Sequence, residues 1–112
     1  MKSLINWTQF DAVDMRVGTI IEAHDFPEAR KPAYKLHIDF GETIGIKKTS
    51  AQITARYTKE SLIGKQVIAV VNFPPKQIAN FMSECLILGA VQGNEVILLQ
   101  PEQQVKNGLH IS

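Results

Sequence analysis

The side chains in this sequence that could do chemistry are basic residues, three histidines, a few serines and one cysteine, and their spacing favours binding over catalysis. His24, His37 and His110 stand far apart and make no ligand spacing such as His-x-x-x-His, so a metal site is not expected. Ser50, Ser61 and Ser83 lie outside any Gly-x-Ser-x-Gly elbow. Cys85 adjoins Leu86, Ile87 and Leu88, an apolar setting that keeps a thiol protonated and inert. The glycines are single and form no phosphate-cradling loop. No catalytic residue and no cofactor is therefore expected.

The cations carry more information. Net charge is only +1. Yet between residues 30 and 76 there are nine cations, Arg30, Lys31, Lys35, Lys47, Lys48, Arg56, Lys59, Lys65 and Lys76, against the acids Asp39, Glu42 and Glu60. That middle is strongly basic and the remainder acidic, the pattern of a chain with one face for a polyanion. A solvated surface with unevenly placed charges has the same composition.

At 112 residues the chain is read as one domain, 1–112, able to bury roughly 65% of its unfolded surface. Apolar residues make up 45% and charged residues 21%, ordinary for a globular protein. No apolar run nears the roughly 18 residues of a membrane span and the first ten residues lack a signal-like core. With one cysteine and no internal disulfide available, a cytoplasmic location and no membrane insertion are expected.

The apolar pattern describes the scaffold. Residues 65–90 hold the two most apolar runs, 67–71 and 86–88, which read as strands buried on both faces. Between them, Pro74 and Pro75 fix dihedrals and remove donors, predicting a stiff extended loop and no tight hairpin. Such a loop suits the presentation of groups to a partner. Thr8-Gln9-Phe10-Asp11 has the form of a capping box with Trp7 and Ala12 in staple positions, predicting a short helix over about 8–13. Residues 16–23 alternate as a strand in which Gly18 allows a bend or bulge. Residues 26–32 form a proline-punctuated loop carrying Arg30 and Lys31. Residues 34–40 put Leu36, Ile38 and Phe40 on one face and Lys35, His37 and Asp39 on the other. A third strand over 43–49 would turn Ile44 and Ile46 inward, and 50–62 is the later stretch that could be helical. Gly93-Asn94 turns into a strand over 95–99, and Asn107-Gly108 turns the tail. Three strands, a helix and further strands suggest an all-β barrel in the order of the OB-fold, whose faces and loops often bind oligonucleotides, with other small barrels and sandwiches as the alternatives.

Five pieces, Asp14-Met15-Arg16-Val17-Gly18-Thr19-Ile20, Phe26-Pro27-Glu28-Ala29, Asp39-Phe40-Gly41, Asn72-x-x-Pro75 and Ser83-Glu84, resemble in order and spacing the tRNA-binding domain appended to methionyl-tRNA synthetases and its free-standing relatives. Residues 47–57 and 66–75 look most like the CsaA-type protein-secretion chaperones of that family. The resemblance implies a homodimeric barrel with Trp7, Phe10, Leu109, Ile111 and the tail of about 101–112 in the interface. It implies tRNA as a partner, recognised by shape and phosphate. Lys47, Lys48, Arg56 and Lys76 would then contact phosphates, with Ser50, Asn72 and Ser83 hydrogen-bonding nearby. Glu84 would orient Asn72 or a nearby backbone group, or cap a turn.

The departures are Gln77, Ala79 and Phe81, where the synthetase-type motif has further basic residues and glycine, and Cys85-Leu86 in place of Gly-Met. Charge is lost and apolar surface gained. Phe73, Ile78, Phe81 and Met82 could thus receive an unfolded precursor polypeptide, without ATP, since no nucleotide motif is present. Alternatively they close the barrel end or line the interface between subunits.

Overall fold

Short strands with alternating apolar residues set the architecture, and the computed structural model describes all of residues 1–112. In chain order the elements are α1 (Trp7–Asp11), β1 (Met15–Asp25), β2 (Tyr34–Asp39), β3 (Ile46–Ala51), α2 (Lys59–Leu62), β4 (Gln66–Val70), β5 (Lys76–Ile78), β6 (Phe81–Ser83), β7 (Leu86–Ile87), β8 (Gly89–Gln92) and β9 (Glu95–Leu98). The main sheet runs β3-β2-β1-β4-β7, with every observed pairing antiparallel. No helix is long and apolar enough to cross a membrane.

The sheet rolls into a nearly closed five-stranded barrel because its two outer strands meet. Glu84 N–H donates to the Lys48 carbonyl at 2.8 Å and the Lys48 N–H donates to Glu84 Oε1 at 2.9 Å. Beside them the buried Thr49 hydroxyl donates to the Cys85 carbonyl at 2.7 Å. Closure of β3-β2-β1-β4-β7 is the OB-fold expected from sequence. Ile20, Leu36, Ile38, Phe40, Ile53, Leu62, Val67, Ala69 and Cys85 fill the interior.

The tail is stitched to the same frame. Buried Gln66 donates to the Val105 carbonyl at 2.7 Å and accepts from its N–H at 3.0 Å, leaving no orphaned polar group. Val17 N–H then donates to the Leu109 carbonyl, and Ile111 N–H to that of Met15, so residues 108–111 pair with this chain's own β1. Arg16 holds the junction, with Nε 2.6 Å from Asp14 Oδ1 and Nη1 3.0 Å from the Gly108 carbonyl.

Several local expectations are corrected. Helix α1 is capped by Asn6, which exchanges hydrogen bonds with Gln9, and not by Thr8; Asn is as good a cap, and Gln three residues on completes the box. The bulge in β1 falls at Ile21, between Ile20 and Glu22. Gly18 instead permits close packing, since a Cβ there would lie 2.6 Å from Ile38 Cγ2 and 2.7 Å from the Phe40 ring. Strand β3 begins only at Ile46, which pairs with Asp39 on the outer face and is 58% exposed. Residues 54–56 form a turn, so the helix there is the four-residue α2 capped by Thr58. The connector after Pro75 does fold back, as the β5–β6 hairpin, because both prolines precede its first ladder residue. Its two-residue turn holds Ala79 at φ +53°, a conformation glycine adopts with less strain. Every residue of β4 is buried, but Leu86 in β7 is 49% exposed.

Gly18→Ala is expected to lower stability by about 1–3 kcal/mol in denaturant unfolding, from overpacking against Ile38 and Phe40. Thr49→Val should cost about 1–3 kcal/mol by removing the shorter of the two hydrogen bonds to the Cys85 carbonyl, leaving only the 3.3 Å bond from Ser83. Burial pushes the Cys85 thiol up to about 12, opposed by a hydrogen bond from Thr49 and by the Lys47 charge. An alkylating reagent at pH 8 should therefore modify Cys85 only as the barrel unfolds; rapid labelling of the native protein would contradict this placement.

Candidate nucleic-acid interface

Alternation that sends Leu36 and Ile38 into the core leaves Lys35 and His37 on the outside of β2. Strand β3 sets Ser50 opposite Lys35 and Lys48 opposite His37. On the other side β1 sets His24 opposite Lys35 and Glu22 opposite His37. These residues make one outward face. The Lys35 ammonium sits 5.5 Å from the centroid of Phe26 and 5.9 Å from that of Phe81, and the Lys48 ammonium sits 5.2 Å from Phe81. The two rings meet edge to face with centroids 5.6 Å apart. Cation–π attraction holds such ammonium groups without neutralising them.

Ion pairing separates these cations from others. Arg16 pairs with Asp14, Arg56 with Glu95 at 2.6 Å, and Lys59 with Asp25 at 2.9 Å. Lys35, Lys47, Lys48 and Lys76 have no carboxylate within pairing distance. A face with unpaired ammonium groups can accept anionic oxygens, while Phe26 beneath it is buried and Phe81 half-buried, so the rings serve as a base for the cations. Exposed Arg30 and Lys31 lie at a separate cavity of about 420 Å³ lined also by Gln52 and Gln77.

The expected phosphate-binding residues do not all share that face. Lys47 and Lys48 are neighbours in β3 and so point to opposite sides, Lys47 toward Cys85, whose thiol its charge affects. Lys76, opposite Ser83 in the β5–β6 hairpin, lines a cavity of about 360 Å³ with Phe73, Pro74, Cys85 and Leu86. Ser83 Oγ lies 2.8 Å from Thr49 Oγ1 at the barrel seam. Ser50 remains on the outer face beside Lys48. The residue after Arg56, Tyr57, accepts a hydrogen bond at its hydroxyl from Leu98 N–H, so this segment is anchored to β9. Asn72 accepts from Asp14 N–H at 3.0 Å and donates to the Ala12 carbonyl at 2.7 Å, fastening the exit of α1 to the end of β4. Glu84 orients the backbone of Lys48, not Asn72.

The apolar candidates are likewise dispersed. Phe73 is 53% exposed at the Lys76 cavity and Met82 is exposed on β6. Ile78 is half-buried at the cavity of Arg30 and Lys31, and Phe81 is half-buried against Phe26. At the N-terminus Trp7 is 82% exposed and Phe10 half-buried, and Leu109 is exposed beside half-buried Ile111.

Lys35 on this face and the buried Phe26 beneath it were not among the residues singled out from sequence. The clean polar face of residues 34–40 was the signal for Lys35. Phe26 carried none, because its role depends on Phe81, far along the chain. Strand pairing also gathers Glu22, His24 and His37, whose separation in sequence had hidden their proximity. Glu22 titrates below the usual carboxylate range because His24 hydrogen-bonds it and the charge of His37 acts in the same direction.

Residues 15–110 match the family model described as "Putative tRNA binding domain". The chain is 37% identical over 105 residues to the methionine–tRNA ligase of Nanoarchaeum equitans, a match covering 94% of this chain and 13% of the ligase, so it spans a small part of that relative's length. Among solved structures it resembles the chaperone CsaA of Bacillus anthracis, with 52% identity, a TM-score of 0.94 and coverage of 98% of this chain and 100% of that one. The CsaA chaperone of Picrophilus torridus is 56% identical with a TM-score of 0.92, covering 97% and 100%. With motif order, barrel topology and these likenesses in agreement, the chain belongs to the tRNA-binding domain family.

Proposed function

We propose that this domain is a non-catalytic, cytoplasmic tRNA-binding module that grips phosphates along both sides of β3. The observation that carries the proposal is the pair of unneutralised ammonium groups of Lys35 and Lys48 held over Phe26 and Phe81. Lys48 and Lys35 supply the outer contacts and Ser50 a neutral hydrogen bond between them. Lys47 and Lys76 continue the positive surface past β3, and Arg30 and Lys31 extend it. Contacts of this kind follow the outline of a folded RNA and read little base sequence. Arg56, Asn72 and Ser83 already have protein partners, so their part is to fix the backbone around the contacts.

A second reading is favoured by one observation, the cavity where Phe73 and Leu86 are both about half exposed. An apolar site flanked by Lys76 suits an extended non-native polypeptide, and two of the similar structures are chaperones by name. On this reading Phe73 is the main contact, Met82 and Ile78 add apolar surface, and Phe81 is shared with RNA. The domain acts as a homodimer, because exposed Trp7, with Leu4 and Ile5, and exposed Leu109 offer more apolar area at the termini than a monomer usually leaves open.

In anisotropy titrations with bulk tRNA, Lys48→Glu or Lys35→Glu should weaken binding at least about tenfold, about 1.4 kcal/mol, and flatten the salt dependence by about one contact. Unchanged affinity in a folded Lys48→Glu variant would refute the site. Phe73→Asp should lower capture of an unfolded reporter polypeptide and leave tRNA affinity intact; loss of both together would mean one shared surface. Trp7→Asp is expected to convert dimer to monomer by light scattering, and a dimer of undiminished stability would remove Trp7 from the interface.

A further inference from the structure

A β-bulge brings together three metal-ligating side chains that sequence spacing keeps apart. Ile20 pairs with Ile38 and Glu22 with His37, so Ile21 is an extra residue in β1. Strict alternation from Ile20 would turn Glu22 and His24 toward the core. The bulge re-phases the strand, and both face outward beside His37 while Ala23 takes the inner position.

There Glu22 Oε1 lies 3.0 Å from His24 Nε2 and 4.0 Å from His37 Nδ1, and one ligand atom from each residue falls within 4.8 Å of the others. A tetrahedral ion with bonds of about 2.0–2.1 Å places its donors roughly 3.3–3.4 Å apart, inside the range of these separations. Glu22 and His24 are exposed, so their side chains can shift by the ångström or so that closes the set. A second observation points the same way. His37 Nδ1 is shielded from solvent and has no hydrogen-bond partner, and the carboxylate oxygen it faces at 4.0 Å is too distant to be one. Such a nitrogen is costly to leave unsatisfied, and beside a carboxylate it is completed either by a proton or by a metal ion.

We propose that Glu22, His24 and His37 bind one divalent ion of the zinc class, with a coordination position left open toward the outer face. Two imidazoles and a carboxylate suit zinc, cobalt or nickel; calcium and magnesium require oxygen donors. Lys35 and Lys48 pair across the ladder with His24 and His37, and their charges moderate the affinity. The ligand set does not depend on RNA binding, and neither does its test.

Tag-free, metal-stripped protein is titrated with Co²⁺, read by visible absorption, and with Zn²⁺, read by calorimetry. One ion per chain is expected, with affinity reduced at least about tenfold by His24→Ala, His37→Ala or Glu22→Gln and unaltered by His110→Ala. His24 is exposed, so His24→Ala and Glu22→Gln decide the matter should His37→Ala fail to fold. Absence of saturable binding up to about 100 µM, or binding that survives both exposed-site variants or vanishes in His110→Ala, overturns the proposal.

Discussion

Thr49 is almost wholly buried, and its hydroxyl meets the Cys85 carbonyl at 2.7 Å and the Ser83 hydroxyl at 2.8 Å. Together with the two bonds between Glu84 and the Lys48 backbone, these contacts join the free edge of β3 to the segment leading into β7. An open sheet of this order would leave that edge unpaired and its core exposed at one side. Closing it seals in Cys85 and fixes the Lys48 backbone through both its N–H and its carbonyl. The side chain of Lys48 therefore starts from a fixed backbone, so the backbone part of the cost of presenting it to a ligand is met during folding.

The residues that carry the family's motifs mostly build this frame. Asp14 and Arg16 lock the tail, Asn72 fastens α1 to the end of β4, and Ser83 and Glu84 make the seam. Other residues point away from this frame. Lys35 and half-buried Phe81 lie on the outer face above the buried Phe26, and Phe73 and Leu86 lie at the cavity beyond β3. One scaffold thus offers a cationic aromatic surface and an apolar hollow on either side of a single strand, which is why RNA and polypeptide readings both arise from it.

The elements whose signal is local were legible in the sequence. Alternation of Leu36, Ile38 and Phe40 located β2 and its inner face, the unbroken apolar run located β4, and Cys85 was placed in the core. The order of strands and the motif series pointed to the barrel and the family. What escaped depended on distant partners or on single-residue shifts in phase. No feature of Ile21 marks it as the bulge, because the choice is made by how Ile20 and Ala23 pack against β2. Nothing near Asn72 or Ser83 in the sequence announces the partners Ala12, Asp14 and Thr49 that the fold sets beside them. The prolines before Lys76 suggested an extended connector, but proline opposes only the ladder it sits in, and the hairpin begins after them.

The measurement that bears most directly on the account is the salt dependence of tRNA binding by the intact protein, from about 50 to 300 mM monovalent salt. If Lys35, Lys47, Lys48 and Lys76 meet phosphates, the logarithm of affinity should fall against the logarithm of salt with a slope of about −3 to −4. Binding whose strength hardly changes with salt would contradict a phosphate-gripping surface along β3.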